Sequence, residues 1–370
     1  MLRLFLLLLF AVSLTPNLKA DAPVYDLVIY GGTSGGVAAA VQASRMKATV
    51  VLVEPSQRLG GLSSGGLGQT DIGNKHVVGG ISREFYERIA RYYENDAVWK
   101  WQPKASYQSI GQSKTEKGET SMWTFEPQAA KAVFDALVAD HEIPVVFGQR
   151  LDLEKGVTMK DGHIASIQME SGEIYRGHHF IDATYEGDLM AKAGVSYHVG
   201  REANARYGET LNGVQTKNAT KHQFVPGVDA YVVKGDPTSG LLPLIDPSGP
   251  GEEGGEDRRV QAYCFRMTLT DHPENRLPFE KPDGYDEKKY EVLFRNFEAG
   301  ETRVPIHSAP MPNRKTDTNN NHGFSTDFIG GNTRYPEAGY DERARIIETH
   351  LHYQVPSHTL RRPTAWKTSI

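Results

Sequence analysis

The stretch Tyr25-Asp26-Leu27-Val28-Ile29-Tyr30-Gly31-Gly32-Thr33-Ser34-Gly35-Gly36-Val37-Ala38-Ala39-Ala40-Val41-Gln42-Ala43 decides the fold. A short apolar run enters a glycine-rich turn, and a helix of small residues leaves it. Ala48-Thr49-Val50-Val51-Leu52-Val53 then reads as a second strand, closed by Glu54. This is the order of a βαβ unit that binds a dinucleotide, with its acidic residue about 20 positions beyond the glycines. Gly31 permits the tight turn off the strand, and Gly36 lets the helix lie close to the sheet. The first N–H groups of the helix, at the positive end of its dipole, suit a pyrophosphate held over Gly31, Gly32, Thr33, Ser34, Gly35 and Gly36. Glu54 is placed to accept hydrogen bonds from ribose hydroxyls, and its charge disfavours a 2′-phosphate. Thr33 stands where the G-x-G-x-x-G pattern has its second glycine, and Gly32 and Gly35 beside it are expected to restore the room.

A second glycine-dense loop follows the acid: Pro55-Ser56-Gln57-Arg58-Leu59-Gly60-Gly61-Leu62-Ser63-Ser64-Gly65-Gly66. A plain nicotinamide-binding unit has no need of it. Further on, Glu126 to Asp140 reads as a helix with Pro127 in its first turn, where a missing N–H costs nothing. Pro144 to Phe147 reads as a short strand. Asp161-Gly162 and Ser171-Gly172 are turn signals between apolar-alternating runs, so a meander is expected to return through His179-Phe180-Ile181 to Asp182-Ala183-Thr184.

These residues carry a resemblance. Gly31-Gly32-Thr33 with Gly35-Gly36, Arg58 with Gly60-Gly61, and Asp182-Ala183-Thr184 with Gly187-Asp188-Leu189 resemble a bacterial family of secreted FAD-dependent oxidoreductases. Some members are labelled xanthan lyase, a label taken here to imply no lyase chemistry. Gln261 to Arg266, Pro282 to Asp286, Lys315 to Asn320 and Phe324 to Asn332 fit the same family, so the resemblance runs from about Tyr25 to Gln354. It implies an α/β fold: a Rossmann-like, glutathione-reductase-like FAD-binding domain over 21–199 and a β-rich substrate domain over 200–354. It also implies that Pro55, Arg58, Gly60, Gly61 and Leu62 line the path from diphosphate to flavin. Leu151 would face adenine through its backbone, and Asp182, Ala183 and Thr184 would form a late turn beside the cofactor. The implied substrate is a small organic molecule, a carbohydrate-derived one among the candidates.

Two segments stand apart. Residues 1–20 read as a secretory signal, with Arg3 ahead of the apolar run Leu4 to Leu14 and Ala20 before the cleavage point. Export to the periplasm or beyond is therefore expected. Residues 355–370 carry Pro356 and Pro363 and no helical periodicity after the amphipathic run Glu342 to Tyr353. The family would continue there into a return to the FAD-binding domain, so a C-terminally truncated member is expected. A catalytically inactive FAD-binding remnant is one alternative, and a nicotinamide-dependent dehydrogenase is another.

The remaining chemistry is bounded by composition. The chain has 370 residues and a net charge of −5, which loss of Arg3 and Lys19 with the leader would deepen. That balance argues against nucleic acid or anionic membrane as partners. A single cysteine, Cys264, excludes an intramolecular disulfide and paired-thiol redox chemistry. It falls in an apolar-alternating run, expected to be a strand with a packed thiol. No H-E-x-x-H or C-x-x-C occurs, so no metal is expected. The polar stretch Asp317 to Asn332 reads as a substrate-facing loop. Its His322 is the candidate base, since oxidation of an alcohol or amine needs a group to take a proton.

Overall fold

The computed structural model describes residues 23–69, 71–280, 283 and 285–357. The leader, and the tail beyond residue 357, lie outside the described residues.

Strand β1 (Val24–Tyr30) runs into the glycine turn, helix α1 (Ser34–Arg45) leaves it, and β2 (Val50–Glu54) lies parallel beside β1. A short helix α2 (Gly61–Gly65) follows, then α3 (Gly80–Tyr92), α4 (Pro127–Asp140) and β3 (Val145–Phe147). The meander is built from β4 (Val157–Lys160), β5 (His163–Gln168) and β6 (Ile174–Asp182), with α5 (Asp188–Lys192) after it. The sheet order is β3-β2-β1-β6-β5-β4, in which β6 returns parallel to β1 while β4 and β5 pair antiparallel. Asp161 and Gly162 both take positive φ, 51° and 79°, as a two-residue hairpin turn requires.

Alternation along the strands sends side chains to two cores. Ile29, Val50 and Leu52 pack under α1, α3 and α4 with Val37, Val41, Phe85, Ile89 and Phe134. Val28, Tyr30, Val51 and Val53 pack on the other face with Leu151, Ile167 and Met169. Helix α3 was not foreseen from the sequence. Its buried Phe85 and Ile89 are four residues apart, and Phe85 stacks on Phe134 of α4 with ring centroids 4.6 Å apart.

A second, antiparallel sheet has the order β7-β9-β8, from β7 (Met267–Thr270), β8 (Ile306–Met311) and β9 (Lys315–Asn320). Helix α6 (Glu291–Glu298) and helix α7 (Tyr340–Ser357) share a core with Phe324, where Tyr290, Leu293 and Tyr353 are buried. Three expectations are corrected here. Asp317 to Asn320 is strand rather than loop, because its polar side chains are matched within the sheet and against the first domain. Residues 261–266 are irregular, and the strand begins only at Met267. The last helix continues through Val355 and Pro356 to Ser357, beyond the amphipathic run that ends at Tyr353.

Candidate functional site

The site is assembled where β1, β2 and β6 end. Gly31 has φ 102°, and a Cβ there would lie 2.7 Å from the Thr184 nitrogen and 2.8 Å from the Ala183 carbonyl carbon. The late turn is thus pressed directly onto the first glycine. A Cβ on Gly36 would overlap the carbonyl oxygen of Gly31, so the helix approaches the turn as closely as a glycine allows. Thr33 caps α1. Its hydroxyl accepts from the Gly36 N–H at 3.3 Å and donates to the Ala183 carbonyl at 2.7 Å. The threonine that breaks the glycine pattern therefore serves as a cap and ties the first turn to the late one.

Glu54 ends β2 nearly buried, 7% exposed. One carboxylate oxygen accepts the Gly32 N–H at 2.5 Å and the other the Ser56 N–H at 2.7 Å. Pro55 turns the chain out of the strand into the second glycine loop. Gly60 and Gly61 both take positive φ, 94° and 52°, and Gly60 donates its N–H to the Gly32 carbonyl. Arg58 does not point into the turn. Its Nη1 donates to the Ser64 carbonyl at 2.7 Å and so braces α2. Leu62 is exposed, and its N–H donates to the Tyr185 hydroxyl at 2.8 Å.

Asp182 turns inward. One oxygen accepts from the N–H and hydroxyl of Thr184 at 3.0 and 2.7 Å, and the other accepts the Met190 N–H at 2.9 Å. Its carboxylate shapes the turn and caps α5, and it is Ala183 and Thr184, through backbone and methyl groups, that reach the glycines. Leu151 is fully buried. Its N–H donates to the Tyr30 hydroxyl at 2.9 Å, and its carbonyl accepts from the Tyr340 hydroxyl at 2.9 Å. An adenine at that backbone would have to displace one of these hydroxyls. Burial pushes the Tyr30 phenol far above its ordinary value, so it stays protonated.

These residues fit a pyrophosphate dinucleotide. Ser34 and Gly35 are exposed in the first turn of α1, and the Gly35 N–H has no hydrogen-bond partner among the described residues. A Cβ on Gly35 would meet only the Thr33 hydroxyl, at 3.7 Å, so the space above it is open. Buried glycines below, a free N–H above and an acid at the strand end are what a flavin dinucleotide needs of its adenosine half.

His322 is elsewhere. It follows β9 with φ 64° and borders a cavity of about 1480 Å³ shared with Tyr107, Phe294, Ser308 and Thr316. Its carbonyl faces the His222 Nδ1 at 3.2 Å. No hydrogen bond among the described residues joins it to the glycine turns.

Several residues that tie the second sheet and α7 to the first sheet's half were given no such role from the sequence. Buried Glu126, at the start of α4, takes the Lys315 ammonium at 2.8 Å and the Asn313 amide at 2.8 Å. Asp317 accepts the Gln69 N–H at 2.8 Å, and burial pushes its carboxyl above the usual range. Arg343 on α7 grips Asp188 with both Nη groups, at 2.5 and 2.8 Å. The sequence signals for these were the family segments Lys315 to Asn320 and Gly187-Asp188-Leu189, and the loop reading of Asp317 to Asn332.

A model of the FAD-dependent oxidoreductase family matches residues 26–363. No curated protein matches the sequence. Among solved structures, similarity extends to L-proline dehydrogenase from P. horikoshii, at 12% identity, 49% of this chain, 58% of that one and a TM-score of 0.31. It extends also to a flavin-containing monooxygenase from Stenotrophomonas maltophilia, at 14% identity, 52% of this chain, 45% of that one and a TM-score of 0.28. In both cases the chain spans less than two thirds of its counterpart's length.

Proposed function

Because this chain belongs to the FAD-dependent oxidoreductase family, we propose that it oxidises a small organic substrate by hydride transfer to flavin, with carbohydrate-derived compounds among the candidates. The observation that carries this reading is the paired glycine turn, with an unpartnered Gly35 N–H over it and Glu54 beside it. When bound, FAD supplies a ring that accepts two electrons.

The chain's own residues do the rest. Ser34 and Gly35 present backbone N–H groups at the positive end of α1 to the pyrophosphate. Glu54 orients the adenosine ribose while its two backbone partners hold the carboxylate in place. Pro55, Arg58, Gly60, Gly61 and Leu62 shape the wall that leads away from the phosphates. Ala183 and Thr184 close the turn from the β6 side. His322, at the rim of the cavity, is the group proposed to take the substrate proton on an imidazole nitrogen. The domains are proposed as 21–199 for cofactor and 200–354 for substrate. Export through residues 1–20 belongs to the same reading, and N-terminal sequencing of the exported protein tests it.

The direct test is anaerobic mixing of the flavin-loaded protein with alcohols, amines and sugars. Bleaching of the flavin colour by one of them is expected, and loss of that bleaching in His322→Ala would support the base. Bleaching by nicotinamide nucleotides alone would overturn the proposal. Among the described residues no helix is long and apolar enough to cross a membrane.

A further inference from the structure

The glycine-rich segment continues past the paired turn. After α2 the chain runs Gly66-Leu67-Gly68-Gln69 against the second sheet. Gly66 has φ 131°, and a Cβ there would lie 3.1 Å from the Arg266 carbonyl oxygen. A Cβ on Gly68 would overlap the Met311 sulfur and the Phe125 carbonyl. Phe125 donates its N–H to the Gly68 carbonyl at 3.0 Å, and Gln69 donates its own to Asp317 Oδ2 at 2.8 Å.

Asp317 is 3% exposed, and its Oδ1 lies 2.6 Å from Arg266 Nε. Neither of those two atoms has an aligned hydrogen-bond partner, although both are buried. A buried ion pair adds little net stability, and its best-attested use is to fix one arrangement among several. Here the thing to be fixed is a segment with glycines at 65, 66 and 68, which on its own has many conformations available. Glu54 marks the ribose side of the pyrophosphate site. An extended dinucleotide must leave that site on the other side, along the segment that departs from Gly60 and Gly61.

We propose that Asp317 is a positioning residue for the flavin half of the cofactor, holding Gly66 to Gln69 in place through the Gln69 N–H and Arg266. This rests on the FAD reading above. Asp317→Asn keeps an oxygen for the Gln69 N–H and removes the charge opposite Arg266, and Asp317→Ala removes both. Dissociation constants are measured on the purified apoprotein for FAD and for ADP, a probe that lacks the flavin half. The visible spectrum and midpoint potential of the bound flavin are recorded alongside. FAD affinity is expected to fall about tenfold in Asp317→Asn and further in Asp317→Ala, with ADP affinity unchanged. The spectrum and potential of the retained flavin should shift. Equal weakening of FAD and ADP, or an unaltered affinity, spectrum and potential, would overturn the proposal. Should these variants not fold, Arg266→Lys keeps the cation and carries the same comparison. A wild type that binds ADP but not FAD overturns the FAD reading itself, and this inference with it.

Discussion

Gly60 donates its backbone N–H to the carbonyl oxygen of Gly32 at 2.7 Å, so two glycine turns that are 28 positions apart form one floor. The first turn holds the helix that faces the phosphates, and the second carries the wall beyond them. Neither is a surface loop. Gly31, Gly32, Gly36 and Gly60 are all buried, while Ser34 and Gly35 stay open.

The two neighbouring glycines of α1 should therefore behave oppositely. Gly36→Ala would push a methyl group into the Gly31 carbonyl and within 3.2 Å of the Ala183 Cβ. A loss of about 3 kcal/mol in urea denaturation is expected. Gly35→Ala meets only the Thr33 hydroxyl, so its stability should stay within about 0.5 kcal/mol of wild type. Its flavin retention should nevertheless fall, because the methyl group fills the open face.

Glu54 has two duties, and they can be separated. Glu54→Ala strips the acceptors from the Gly32 and Ser56 N–H groups, which should cost about 1–3 kcal/mol. Glu54→Gln keeps one acceptor and should lose less stability, yet both variants should bind FAD more weakly. Titration of the two apoproteins with FAD checks this. Unaltered affinity in both would remove Glu54 from the ribose site.

Acid should weaken the clasp on the buried Glu301 carboxylate in a defined window. Arg303, with its own N–H and that of Thr302, holds the Glu301 carboxylate down to about 2, from an ordinary 4.5. A depressed folded pKa means that stability is present above the unfolded value and lost as pH falls through the folded one. The stability advantage of wild type over Glu301→Gln should thus be full above the ordinary range, shrink below it, and vanish beneath about 2. Paired denaturation curves across that window read it directly. A gap that does not change with pH would contradict it.

Cys264 should be inert in the native protein. Burial first, and Asp327 second, push its thiol up to about 12, so little thiolate exists at neutral pH. Alkylation by iodoacetamide should be slow when folded, fast in urea, and faster in the native state only as pH rises. Rapid native labelling would refute the assignment.

The nucleotide half of the fold was legible because its signals are local. Glycines whose backbone or packing admits no side chain, an acid ending a strand, and Asp161-Gly162 with positive φ each leave a mark within a few residues. The second sheet leaves none. Asp317 and Asn319 read as loop polarity and Lys315 only as part of a family segment, yet Lys315 is matched by Glu126, 189 positions earlier, and Asp317 by Gln69, 248 positions earlier. Long-range pairing of buried charge makes a polar strand possible, and no short window of sequence shows it. Helix α3 was missed for a related reason, since only Phe85 and Ile89 are buried along it. The inward turn of Asp182 and the occupied backbone of Leu151 are also set by partners distant in sequence.

The central claim is that the joined glycine turns hold FAD. The measurement that tests it most directly is the absorption spectrum of the purified protein after incubation with FAD and desalting, taken beside that of Gly35→Ala. Flavin bands retained by the wild type and reduced in the variant are the expected result. A folded wild-type protein that emerges colourless would contradict the claim.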